Sequence, residues 1–151
     1  YLTFDQGWVE AATTQSDGGW HIDGLQGDEV PVKLIGDFCF MVSDALPTQF
    51  YHGPMDLSDC SVSKDNIFKR IDERVVDVDA NSMKTMNNGL YFFDYTAIHR
   101  GTPANVRTYR RLCRIHFTET PITSVKMTIN PGIVYDYKVH QTSGNIPASL
   151  V

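Results

Sequence analysis

With 151 residues, 42% of them hydrophobic and 11% aromatic, the chain has enough apolar side chain for one folded domain. It carries no apolar run near the ~20 residues that a bilayer span requires. A net charge of −5 and a pI near 5.4 argue against a general nucleic-acid binder, which carries a basic surface. Cys39, Cys60 and Cys113 are well separated with no Cys-x-x-Cys pair, and no signal-peptide pattern opens the chain, so a reducing, cytoplasmic setting is expected.

Short apolar segments alternate with turn signals, which predicts an all-β sandwich or barrel; eight Phe, seven Tyr and two Trp favour sheet over a helical bundle. An opening strand is expected from Trp8 to Thr14, ended by Ser16-Asp17-Gly18-Gly19, then a short extended piece from Trp20 to Asp23. Val30 to Val42 gives the strongest strand signal. Val32, Leu34, Phe38, Phe40 and Val42 recur at period two, with Ile35, Cys39 and Met41 on the other face, which predicts cover on both sides. Pro47 to Tyr51 reads as a shorter extended segment before Gly53-Pro54. One helix is predicted from Ser63 to Arg74, with Ser63 as its cap and Ile67, Phe68 and Ile71 at helical spacing. Val75 to Val78 returns to strand, and Asn87-Asn88-Gly89 forms a turn into Leu90 to Tyr95 and then Ile98-His99. Arg110 to Phe117 and Ser124 to Ile129 are the last two strands, followed by a polar, irregular tail over 131–151. With no repeat and no linker, residues 1–151 form one domain.

His21-Ile22-Asp23 carries the first chemical signal. A strand points residues i and i+2 to one face, so an imidazole and a carboxylate can converge on one point. By itself the pair fits a solvated turn equally well. His99 supplies a third ligand, and two histidines with one carboxylate suit Fe(II) in oxygen-activating enzymes, because they hold one side of the metal and leave the other open. Arg110, eleven residues beyond His99, offers a guanidinium fork for a carboxylate-bearing cosubstrate.

Taken together, His21, Asp23, His99 and Arg110 resemble the pattern of the Fe(II)- and 2-oxoglutarate-dependent dioxygenases, most closely the branch that includes phytanoyl-CoA hydroxylase. The His-Arg-Gly-Thr-Pro-Ala run at 99–104 is similar to that family's turn after the distal histidine, and the resemblance spans roughly residues 18–118. It implies a double-stranded β-helix, a jelly-roll or cupin-like flattened barrel of two antiparallel sheets with one short helix. The mouth would carry His21, Asp23 and His99 on Fe(II). Arg110 would hold the distal carboxylate of 2-oxoglutarate. Arg114, on the Arg110 face, would reach the cosubstrate or an acidic substrate group, or else form a surface ion pair. Gln49 or Tyr51 would hydrogen-bond the cosubstrate, or else belong to an ordinary edge strand. A cupin proper would need His-x-His and a following Glu, which the chain lacks.

The activity implied is hydroxylation of a small-molecule or acyl-conjugate substrate by O2, with release of succinate and CO2. Halogenating relatives replace the carboxylate ligand by a small residue, so Asp23 points to hydroxylation. The competing reading is a catalytically silent metal- or ligand-binding module of the same fold. Family members have buttressing elements before His-x-Asp, and only twenty residues precede His21 here, as in a minimal or N-terminally truncated core. A nucleic-acid demethylase would explain the arginines, but the overall acidity opposes it. Trp20 reads as a pocket wall or as packing, His116 as an interior histidine, His52 as a residue bordering the pocket and His140 as exposed. A dimer through an exposed edge strand is compatible with the sequence. The substrate's identity is not encoded in any recognisable motif.

Overall fold

The computed structural model describes residues 2–16, 18–23, 38–61, 65–75 and 79–117. The expectations placed on 24–37, on Ser63, on 76–78 and on 118–151, including the strand at 124–129 and the tail, lie outside the described residues. Within them the protein is mainly β, with two antiparallel sheets and one short helix.

The first sheet is built around β7 (Thr108–Phe117), flanked by β1 (Leu2–Val9) and β2 (Phe38–Ser43), with β5 (Tyr91–Asp94) beyond β2. β1 pairs with β7 from Leu2 opposite Ile115 to Val9 opposite Thr108, and β2 pairs with β7 from Phe38 opposite Phe117 to Ser43 opposite Leu112. The second sheet orders β4 (Ser82–Lys84), β3 (Gln49–Tyr51) and β6 (His99–Arg100), and His21 adds one antiparallel bridge to His99. The pairings are nested. The outermost pair is β1 with β7, then His21 with β6, β2 with β5, and β3 with β4. Followed along the chain, these segments shuttle between the two sheets, so the polypeptide pairs with itself like one long hairpin rolled up. Among the described residues no ladder joins the sheets into a closed barrel.

Three local results differ from the sequence expectation. β1 runs from Leu2 to Val9 rather than from Trp8 to Thr14. Polar Asp5 and Gln6 hide its periodicity, and Ala12, at φ 61°, turns the chain away before Thr14. The helix, α1 (Ile67–Arg74), starts later than predicted, because Asn66 is the cap and its side chain accepts from the Lys69 amide at 3.0 Å. Its last turn ends where Val75 becomes extended. β4 went unseen because Ser82-Met83-Lys84 has neither length nor apolar alternation; cross-strand pairing with β3 alone makes it a strand.

Two buried clusters give the molecule its layers. Cys39, Met41, Phe93 and Leu112 of the first sheet meet Phe50 of the second. On the opposite side of β3, Tyr51 packs with Trp20, Ile67 and the fully buried Ile71, so α1 covers the back of the second sheet. The outer face of the first sheet differs from the expected two-sided cover. Phe38 stacks on Phe117 at 4.8 Å and Phe40 meets Phe92 at a tilt, centroids 5.1 Å apart, while Leu2, Phe4, Phe92, Ile115 and Phe117 stay exposed, with no described element over them.

Candidate metal centre

The site begins with a backbone pairing. His21 N donates to His99 O at 3.0 Å and His99 N donates to His21 O at 2.9 Å. Directly opposed residues in an antiparallel pair project to the same side, so the ladder brings the imidazoles together, with ring centroids 4.5 Å apart. Asp23, two residues on, joins them. One ligand atom from each of His21, Asp23 and His99 can be chosen such that all lie within 4.8 Å of one another. Phe50, opposite His99 on β3, and Phe93 on β5 close the inner side, with rings 5.5 and 5.2 Å from that of His99.

Both histidines use Nδ1 in the same way. His21 Nδ1 donates to Gly19 O at 2.9 Å and His99 Nδ1 to Ala97 O at 2.8 Å, each a carbonyl two residues back. A carbonyl only accepts, so Nδ1 carries the proton and the Nε2 lone pair is left for a metal, the usual outer support of a histidine ligand. Burial, opposed by the nearby Asp23 carboxylate, lowers the pKa of His99 from its ordinary value, which keeps the ring neutral as metal binding requires. Asp23 Oδ1 lies 3.8 Å from His99 Nε2, and Asp23 Oδ2 is buried without a hydrogen-bond partner. Two imidazole Nε2 atoms and a carboxylate oxygen without a hydrogen bond fit a divalent transition metal that favours mixed nitrogen and oxygen donors, Fe(II) included.

Arg110, on β7, is buried at 5% exposure. Its Nε donates to Ala45 O at 3.1 Å and its Nη1 to Gln15 Oε1 at 2.6 Å, and among the described residues it forms no ion pair. Burial lowers its pKa, yet a guanidinium stays charged throughout the physiological range. The carboxylates of Asp5 and Asp44 favour its charge without contacting it, so its direct partners are neutral oxygens. Beside it, Gln15 Nε2 is buried with no acceptor. Leu112 and Arg114 follow on the same inward face, placing Arg114 about 13 Å along the strand from Arg110. Arg114 Nη1 lies 3.6 Å from Asp23 Oδ2, so this arginine forms a partly buried ion pair with Asp23.

Gln49 and Tyr51 are placed elsewhere. In three-residue β3, Phe50 faces the triad, so its neighbours face away: Gln49 donates to Ser82 Oγ at 2.6 Å and accepts from Arg100 Nε at 2.9 Å, and Tyr51 packs edge-on to Trp20. The expected cosubstrate contacts from these two are therefore corrected, because strand parity turns both away from the triad, Gln49 to Ser82 and Arg100 and Tyr51 to the cluster under α1. Trp20 is 2% exposed and lies in that same cluster under the Arg100 guanidinium, which makes it a packing residue. His52 is exposed just after β3, and His116 faces inward, its Nε2 4.0 Å from the Cys39 thiol. Arg107 and Arg111 are exposed and pair with Glu10 and Asp44. Sequence reasoning missed Gln15, and also Phe68, whose ring lies 5.7 Å from that of His21; each is far from its partner in sequence and carries no motif.

Comparison with protein-family models, with curated proteins and with solved structures gives no match for this chain. Among the described residues no helix is long and apolar enough to cross a membrane.

Proposed function

We propose that the protein is an Fe(II)- and 2-oxoglutarate-dependent oxygenase on a jelly-roll, double-stranded β-helix scaffold. The nested pairing of strands that alternate between two sheets supports the scaffold, since a rolled hairpin is how a jelly roll is wound. The observation that carries the activity is the convergence of His21, Asp23 and His99, with Arg110 buried on the same inward face of β7 as Arg114 at the site.

His21 Nε2, His99 Nε2 and an Asp23 oxygen would hold the iron on one side. Iron of this kind, with 2-oxoglutarate, activates O2 and couples succinate and CO2 release to substrate hydroxylation. The protein's own groups supply placement. Arg110 and the free Gln15 amide bind the cosubstrate's distal carboxylate through charge-assisted hydrogen bonds. Arg114 holds Asp23 beside the histidines through its ion pair with Oδ2. Phe50 and Phe93 exclude water from the inner side of His99. A carboxylate at position 23 favours hydroxylation over halogenation, and a small molecule or acyl conjugate is the substrate class.

The test is anaerobic titration with Fe(II), or Ni(II) as its stand-in, followed by succinate measurement in air. Binding that His99→Ala abolishes, with succinate formed from 2-oxoglutarate, supports the oxygenase. Binding without succinate assigns a silent metal-binding module of the same fold, and no binding removes the metal reading.

A further inference from the structure

We infer that Asp72 is a positioning residue for His21, acting through the single peptide group that joins Gly19 to Trp20; the inference rests on His21 being a metal ligand. That peptide is engaged at both ends. Its N–H, on Trp20, donates to Asp72 Oδ1 at 2.8 Å, and its C=O, on Gly19, accepts from His21 Nδ1 at 2.9 Å. Carboxylate, peptide and imidazole form one hydrogen-bonded chain, ending at the ring whose Nε2 is left for the metal.

Metal-bound histidines commonly donate directly to a carboxylate, which orients the ring and raises its basicity. Here a peptide stands between. A negative acceptor at the N–H end polarises the peptide and strengthens the carbonyl as an acceptor, because hydrogen bonds in series reinforce one another. Asp72 thereby acts on the ligand without touching it.

The local structure is shaped for this contact. A Cβ on residue 19 would stand 2.9 Å from Asp72 Oδ2, so any larger residue there would make the exposed carboxylate shift. Asp72 and Phe68 are four apart on α1 and share a face, and Phe68 contacts the His21 ring. Between them, Ile71 is fully buried and anchors the helix against Trp20 and Tyr51. His99, whose Nδ1 donates to Ala97 O, is an internal reference that the chain from Asp72 does not reach.

Asp72→Asn retains an oxygen to accept from Trp20 and removes the charge. Zn(II) affinity and the histidine ring-nitrogen spectra of 15N-labelled protein, metal-free and Zn(II)-loaded, read the effect. The expected result is Zn(II) binding weakened about 10-fold, the His21 Nδ1 proton shifted, the His99 Nδ1 proton unmoved, and the metal-free melting temperature unchanged. Parental affinity with an unmoved His21 signal overturns the inference and leaves the metal centre standing. Both histidine signals moving together, or a lower metal-free melting temperature, assigns Asp72 to general folding and also overturns it. If the parent binds no Zn(II), the metal reading fails, and the metal-free spectra decide the relay: a shift confined to His21 supports it and its absence overturns it.

Discussion

His21 and His99, 78 residues apart (99 − 21), face each other across one antiparallel bridge and exchange both of its backbone hydrogen bonds. The two proposed nitrogen ligands are therefore held by main chain, and their side chains can be removed without removing the bridge.

That separation makes a clean ligand test. His99→Ala is expected to keep the fold and lose metal affinity by more than the ~100-fold that marks the strongest outer-shell losses. At a metal concentration 100 times its Kd, the parent gains about 2.7 kcal/mol, or a melting shift of roughly 5–11 °C for a domain of this size. Differential scanning calorimetry with Mn(II) should show that shift in the parent and none in His99→Ala.

Arg110 is the anion test. Arg110→Lys keeps a charge but loses the fork, so one charge-assisted hydrogen bond worth about 1.5–3 kcal/mol is expected to go, a loss of roughly 10- to 150-fold in 2-oxoglutarate affinity. Gln15→Leu should weaken the same affinity by less, because its amide is neutral. Metal affinity should not change in either variant. Calorimetric titration of the metal-loaded parent and variants with 2-oxoglutarate measures the cosubstrate affinities, and titration of the metal-free proteins with Mn(II) measures the metal affinity. An unchanged 2-oxoglutarate affinity in Arg110→Lys would place the cosubstrate elsewhere.

The metal-free protein should lose stability in mild acid. The folded pKa of His99 is depressed below its ordinary 6.5, mainly by burial. The unfolded chain thus binds a proton that the folded chain refuses, so this contribution is full above pH 6.5 and declines as pH falls through that value. Urea unfolding at stepped pH should show the decline, and His99→Gln should flatten it. Asp56, Asp59 and Asp65, held below their ordinary 3.8 chiefly by hydrogen bonds from Ser58, Arg74 and Ser61, act only at lower pH.

Cys39 should be the inert thiol. Burial raises its pKa to about 11, with Arg114 pulling it back, so at pH 8 almost no thiolate is present. Iodoacetamide at pH 8, read by peptide mass, should modify Cys60 and Cys113 well before Cys39, since both are only partly buried. In stability the sign is the reverse of His99: the folded state retains its proton longer, and stability falls as pH rises above the ordinary value of 9.0.

Much of the fold was legible because periodicity is local. The alternation in Phe38–Val42, the described part of the strand expected over 30–42, and in Arg110–Phe117 reads as strand, and the spacing of Ile67 and Ile71 as helix. What failed depended on neighbours. Ser82–Lys84 is a strand only because β3 lies beside it, and the side to which Gln49 and Tyr51 point does not follow from sequence, because a three-residue strand does not announce which side meets the other sheet.

The sequence by itself determined the mainly β class, the imidazole and carboxylate that His21 and Asp23 can bring to one point, and the parity that puts Arg110 and Arg114 on one face. These follow from residue chemistry and from the period of two, which need no partner. Only the tertiary structure decided that His21 and His99 meet, that Arg114 flanks Asp23, that Gln15 lies against Arg110, and that Asp72 reaches the peptide before His21. Each of those joins segments dozens of residues apart, and cross-strand register and helix docking are set by the burial of the whole core, which no local pattern contains.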